Sequence, residues 1–136
     1  MNIALMAHDR KKELMVQFCI AYCGILAGHS LCATQTTGKL VSEATGLPIT
    51  QYLPCRQGGD QQIGARITYN ELDMVIFFAD PGQGVENYGE VVKLCRLCDM
   101  HNIPIATNLA SAEMLILGLK EGYLDWRNLV REQKAK

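Results

Sequence analysis

The run Met74-Val75-Ile76-Phe77-Phe78 contains no polar residue. It has the length of a strand, and a strand apolar on both faces has to be covered on both faces. That requirement points to the middle of a parallel sheet, because parallel neighbours are joined by crossovers that lay helices over both surfaces.

The rest of the chain supplies those neighbours. Asn2–Ala7 reads as a short apolar strand. From Lys11 to about Ala27, the residues Leu14, Met15, Phe18, Cys19, Tyr22, Ile25 and Leu26 recur at helical spacing, and Gly28 ends that helix. Ser30–Thr34 is a second strand. Thr37 begins a short helix through Leu40, Val41 and Ala44, closed by Gly46 and Pro48. Ile49–Leu53 is a third strand, and Asp60–Asn70 is helical. After the fourth strand, Met74–Phe78, comes Asp80-Pro81 and a glycine-rich loop, Gly82–Gly89. Val91, Val92, Leu94, Cys95 and Cys98 mark another helix. Pro104–Thr107 is a fifth strand, Ser111–Leu119 a helix capped by Ser111, and Asp125–Gln133 a more polar tail helix. The alternation predicts an α/β protein: a single domain over residues 1–136, three layers α/β/α, around a mostly parallel five-stranded sheet.

Composition narrows the partners. At 49% hydrophobic the chain can build a core, and a formal net charge of -1 argues against a nucleic-acid or polyanion binder working through bulk charge. No transmembrane span, signal peptide or lipidation motif is read from the sequence, so the expectation is a cytoplasmic protein with no membrane partner. Of the six cysteines, five sit inside apolar patterns and read as buried reduced thiols. Cys95 and Cys98 form a C-x-x-C with no second pair at zinc spacing, so no metal site is assigned.

Ligands on open parallel sheets bind beyond the carboxyl ends of the strands. Three polar loops occupy that position. In His8-Asp9-Arg10-Lys11-Lys12, His8 suits polarising a carbonyl or holding a phosphate, and Lys12 suits neutralising an anion; a simple loop hydrogen bond is the alternative. Thr34-Gln35-Thr36-Thr37-Gly38 offers three hydroxyls at a helix start, where free amides and the helix dipole favour a phosphate. Its alternative is a plain cap by Thr36 or Thr37. In Gln57-Gly58-Gly59-Asp60, two glycines deliver a carboxylate to a helix start, as a cap or as a base. Asp80 and Asn108 end strands too, where each either orients a site group or satisfies loop amides.

Taken together, Ala7-His8-Asp9, Ala33-Thr34-Gln35-Thr36-Thr37-Gly38, Glu43-Ala44-Thr45-Gly46, Gly58-Gly59-Asp60-Gln61-Gln62-Ile63-Gly64-Ala65, Asp80-Pro81 and Ile103-Pro104-Ile105-Ala106-Thr107-Asn108 resemble the methylglyoxal synthase family, in order from residue 2 to about 130. The resemblance implies a lyase that converts dihydroxyacetone phosphate to methylglyoxal and inorganic phosphate. It implies no metal or organic cofactor, and a homohexamer. It makes Asp60 the base that removes a proton beside the ketone, giving an enediolate from which phosphate leaves. It places His8, Lys12, Thr34, Gln35, Thr36, Thr37 and the amide of Cys55 around the substrate and its phosphate.

The departures from the family pattern fall in the pocket. Pro54-Cys55-Arg56 stands where the family usually has Ser-Gly-Pro, which removes a hydroxyl and one N–H. Glu86-Asn87 stands for Pro-His, and Glu90 for the aspartate that follows. Gln35 replaces a glycine and narrows the phosphate loop. Losing an acid–base histidine typically costs about 10²–10⁴ in rate. The sequence therefore leaves two readings from different classes: the lyase, or a diverged module that binds a phosphorylated metabolite without eliminating phosphate. A lyase of altered specificity, with Arg56 reading a second acidic group, is a smaller third.

Overall fold

A computed structural model describes residues 1–82 and 85–135, with side chains for 1–82 and 88–131. Five strands, β1 (Asn2–Ala7), β2 (Ser30–Ala33), β3 (Ile49–Gln51), β4 (Met74–Phe78) and β5 (Ile105–Ala106), form one sheet in the order β3-β2-β1-β4-β5. Every pairing is parallel, where a mostly parallel sheet was expected. β1 lies at the centre, with Ile3 opposite Leu31 on one side and Met74 on the other.

The all-apolar β4 is buried along its whole length, as its composition demands. Its side chains alternate between two cores. Met74, Ile76 and Phe78 join Ile3, Leu5 and Leu31 on one face. That face is covered by α1 (Lys12–Ala21), α3 (Gln35–Thr45) and α6 (Leu109–Lys120) through Met15, Phe18, Val41, Ala112 and Ile116. Val75 and Phe77 join Ala4, Met6 and Cys32 on the other face, under α4 (Gly59–Thr68) and α5 (Val85–Met100). Ile63, Ile67, Val91, Leu94 and Cys98 are the helical side of that core. Each large apolar side chain withdrawn from water contributes about 1.5–3 kcal/mol, so the two layers outweigh any local propensity.

Several boundaries differ from the sequence reading for identifiable reasons. The first helix is a 3-10 turn over Asp9–Lys11, then α1, then a break at Tyr22 (φ -110°, ψ 22°) before the short α2 (Cys23–Leu26). α3 starts at Gln35 rather than Thr37, because a β-branched residue is tolerated in a first turn and Gly38 lets the helix approach Ala33 and Gln51 closely. α5 begins at Val85, inside the segment expected to be loop. α6 is capped by Asn108, whose Oδ1 accepts from the Ser111 amide at 2.9 Å, so Ser111 is the third residue of the helix rather than its cap.

The tail helix, α7 (Trp126–Ala135), is held by a buried ion pair that its polar sequence did not advertise. Arg127 is 4% exposed and Asp73 fully buried. The guanidinium donates to Asp73 Oδ1 (3.0 Å), Asn102 O (2.8 Å) and Asn70 Oδ1 (2.7 Å). Asp73 also accepts from the Asn2 amide (2.8 Å) and from Arg131. Burial on its own would raise the Asp73 carboxyl, but the Asn2 amide and the two arginines outweigh it and hold it below the ordinary value.

The turn into α4 is fixed by two glycines. Gly58 has φ +104°, a left-handed conformation that side chains avoid. At Gly59 a Cβ would stand 1.9 Å from the carbonyl oxygen of Leu53. No rotamer relieves that clash, since both atoms belong to backbone-fixed positions.

The packing generates three predictions. Replacing Arg127 by Met strands part of the Asp73 charge, and a loss of about 3–5 kcal/mol in urea unfolding is expected. Because the folded Asp73 titrates below its unfolded value, its stabilisation is complete above the ordinary carboxylate pKa and is lost as pH falls through the folded one. Asp73→Asn is therefore destabilised at neutral pH, with the gap to the parent closing below about pH 4. At the glycine turn, Gly59→Ala forces the Leu53 loop aside, and a loss of about 1–3 kcal/mol in thermal or urea unfolding is expected.

Candidate active site

The topology fixes where a site can form. β1 hands its chain to α1 on one face of the sheet, and β4 hands its chain to α5 on the other. Neighbouring strands whose connections diverge leave a crevice at their carboxyl ends. His8 follows β1 and Asp80 lies two residues beyond β4, so both stand at that crevice. A cavity of about 530 Å³ opens there, lined among others by His8, Lys12, Thr34, Thr36, Cys55 and Glu90. That volume suits a small metabolite.

His8 is 7% exposed and meets the edge of Phe77, ring centroids 5.1 Å apart. The Asp80 amide donates to its Nδ1 at 2.8 Å, so that nitrogen presents a lone pair and Nε2 carries the hydrogen. Nε2 in turn meets Glu90 Oε1 at 3.0 Å. The ring is thus a neutral donor aimed from the floor of the cavity. The other Glu90 oxygen accepts from the Cys55 thiol at 3.1 Å. Burial first, then the bond to Glu90 and the charges of Glu90 and Asp60, push that thiol up to about 12. It stays protonated and acts as a donor.

Lys12 is held by two acceptors, Ala7 O (2.9 Å) and Asp9 Oδ1 (3.0 Å). The hydrogen bond and charge of Lys12 lower the exposed Asp9 carboxyl. At the start of α3, Thr34 occupies the cap position in extended conformation, is buried, and makes no side-chain cap bond. The first helical bond there is Gly38 N to Thr34 O at 2.8 Å. The amides of Thr36 and Thr37 precede it and have no intrahelical acceptor, which leaves a positive helix end beside the cavity.

The sequence-expected residues divide as follows. His8, Lys12, Thr34, Thr36 and Cys55 come together on one cavity. Gln35 is exposed on the outer side of the α3 start, and Thr37 is buried with its hydroxyl unpaired. Asp60, second residue of α4, lines a neighbouring cleft of about 180 Å³ that shares Glu90 with the main cavity. A sulfur or carboxylate oxygen from each of Cys55, Asp60 and Glu90 lies within 4.8 Å of the others. Glu90 therefore stands between the main cavity and Asp60, bonded to both His8 and Cys55. Its contact with His8 spans 82 residues of chain and had no local signal; only its place in the family pattern marked it. Pro54 and Arg56 also line the cavity, while the side chains of Glu86 and Asn87 fall outside the described residues. Asp80 serves through its backbone N–H on His8, with its own Oδ1 accepting from the Gly82 amide at 2.9 Å. Asn108 is the α6 cap.

All six cysteines are free; Cys19, Cys32 and Cys98 are buried, and Cys23, Cys55 and Cys95 half-buried. Burial is the leading cause that pushes the Cys19 and Cys98 thiols up to about 12, as inert core thiols require.

Comparison with known proteins adds a consistent result. Residues 15–107 match the family described as MGS-like domain. The chain is 57% identical over 136 residues to methylglyoxal synthase of Caldicellulosiruptor saccharolyticus, covering 100% of this chain and 96% of the relative. It is 54% identical over 134 residues to methylglyoxal synthase of Lysinibacillus sphaericus, covering 98% and 99% of the two chains. Among solved structures, methylglyoxal synthase from Elizabethkingia anophelis NUHP1 superimposes with a TM-score of 0.76 at 37% identity, over 85% of this chain and 76% of that one. With the glycine-borne aspartate, the threonine loop and the buried histidine beyond the carboxyl ends of the strands, these matches show that the chain belongs to the methylglyoxal synthase family.

Proposed function

We propose that this chain is a carbon–oxygen lyase converting dihydroxyacetone phosphate to methylglyoxal and inorganic phosphate, in one domain spanning residues 1–136. The observation that carries the reading is the juxtaposition of Asp60 with a cavity that has a neutral histidine donor on its floor and a cation and a free helix end on its rim. Family membership supports the same substrate.

The resemblance to the family suggests the roles, and the geometry is compatible with them. Asp60 is the base that takes the proton from the carbon beside the ketone, so it works as a carboxylate. The Nε2–H of His8 donates to the ketone oxygen as negative charge builds there, exchanging Glu90 for substrate; a neutral imidazole fixed by the Asp80 amide does this without a change of tautomer. The phosphate lies against the Thr36 and Thr37 amides, the Thr34 and Thr36 hydroxyls, Lys12 and the Cys55 amide, with Gln35 at the outer edge. When the enediolate collapses, the bond from carbon to the phosphate oxygen breaks and the leaving charge is already neutralised. The enol left behind takes up a proton to give methylglyoxal. No metal or organic cofactor enters these steps.

The changes at Glu90 and at Pro54-Cys55 are compatible with this chemistry. Glu90 carries the charge expected of the family's aspartate and reaches His8 at 3.0 Å. Pro54 supplies no donor, and the amide of Cys55 opens the next turn. We also propose a homohexamer working in the cytoplasm as a bypass of lower glycolysis. Resemblance to the family supports the hexamer, and the exposed Met114, Leu117 and Trp126 offer apolar surface for subunit contacts. Among the described residues no helix is long and apolar enough to cross a membrane.

The test is release of methylglyoxal and phosphate from dihydroxyacetone phosphate by purified protein. Asp60→Asn is expected to lower kcat about 10²–10⁴-fold with an unchanged melting curve. A parent protein that folds and binds phosphate but shows no turnover overturns the lyase. Lys12→Met, by contrast, is expected to raise KM about tenfold or more through loss of one charged contact of about 1.5–3 kcal/mol, and steady-state kinetics separate the two effects.

A further inference from the structure

We propose that Cys55, Asp60 and Glu90 form a binding site for one thiophilic divalent cation of the zinc class, which shuts the enzyme by occupying its base. The three side chains come from three separate segments: the turn Cys55–Gln57, the first turn of α4, and α5. Their ligand atoms already lie within 4.8 Å of one another, and each residue is half-buried.

The donor set selects the ion. One sulfur and two carboxylates form a borderline-soft set, which favours zinc or cadmium over magnesium and calcium. Zinc takes sulfur at about 2.3 Å and carboxylate oxygen at about 2.0–2.2 Å. Cys55 Sγ and Glu90 Oε2 are 3.1 Å apart, so small rotations of Asp60 and Glu90 close the shell. An outer support is in place as well. His8 donates to Glu90 Oε1 at 3.0 Å, which orients the carboxylate and leaves Oε2 for the ion. Three protein ligands leave a fourth position for water or a phosphate oxygen.

The ion also resolves a charge problem. The thiol proton now sits between sulfur and Glu90. Removing it alone would set a thiolate against two carboxylates, a repulsion that the charge of Lys12 offsets in part. A divalent cation replaces that proton directly: the S–H bond breaks, a sulfur–metal bond forms, and one proton leaves to solvent with no change of oxidation state.

Binding of the ion does not depend on the lyase reading; only its inhibitory consequence rests on that reading. The experiment titrates metal-free full-length protein with Cd²⁺, following the thiolate-to-cadmium charge-transfer band, and with Zn²⁺ by calorimetry, with turnover measured alongside. One ion per chain is expected, with the band absent in Cys55→Ala, affinity about tenfold or more weaker in Glu90→Gln, and no change in Cys95→Ala. Turnover is expected to fall in step with occupancy and to return with a chelator. A band that persists in natively folded Cys55→Ala, or no stoichiometric binding by the parent, overturns the site. Stoichiometric binding that leaves turnover intact overturns its placement on the base. A metal-free parent without turnover overturns the lyase reading, while the binding data still decide the site.

Discussion

The pairing of β1 with β4 is the constraint from which the rest is built. Both strands are apolar on both faces, so neither tolerates solvent, and each needs a helical layer above and below. Their chains leave on opposite faces to provide those layers. The crevice is a by-product of that solution: helices that diverge cannot also cover the strand ends. Beside the bond from the His8 amide to the Phe78 carbonyl, a hydrogen bond from the Asp80 amide to His8 Nδ1 ties the two ends across the crevice. It converts a packing consequence into a chemical one, because it decides which histidine nitrogen faces the cavity as a donor.

A second close approach sets the opposite wall. The start of α4 comes so near the Leu53 carbonyl that only a glycine fits at residue 59, and the preceding turn needs the left-handed Gly58. Gln62 locks the arrangement by accepting from the Leu53 amide at 2.8 Å. Asp60 is thereby placed by backbone geometry rather than by a flexible side-chain network, which suits the role of base proposed for it.

Much of this was legible in the sequence because it rests on local chemistry. An unbroken apolar run, the glycine pair and the clustering of polar residues just after strands each have a local cause, and the layers, the crevice and most of the cavity lining follow from them. What the sequence hid has a long-range cause. The Cys55–Glu90 and His8–Glu90 contacts join segments 35 and 82 residues apart. Arg127 looked like one more charge on a polar tail helix until Asp73, in a different part of the chain, gave it a buried partner. Helix starts were misjudged as well. α3 starts at Gln35 because Gly38 lets its first turn approach Ala33 and Gln51, and α5 starts at Val85 within a segment whose glycines read as loop. Thr37, read as a phosphate contact, has its hydroxyl buried, so only its amide remains for that purpose.

The charges of the site are sorted by function. The rim carries Lys12 and the positive end of α3, which suit a phosphate that is anionic from first to last. The inner end carries Asp60 and Glu90, with the Cys55 proton and the His8 Nε2–H interposed. Each of those two hydrogens gives a Glu90 oxygen a donor in a setting of reduced solvent. In the unliganded pocket both Glu90 oxygens have a donor, and the Cys55 thiol still holds one of them when His8 turns to substrate. The proposed division of labour, Asp60 as base and Glu90 as support, is consistent with this sharing of hydrogens.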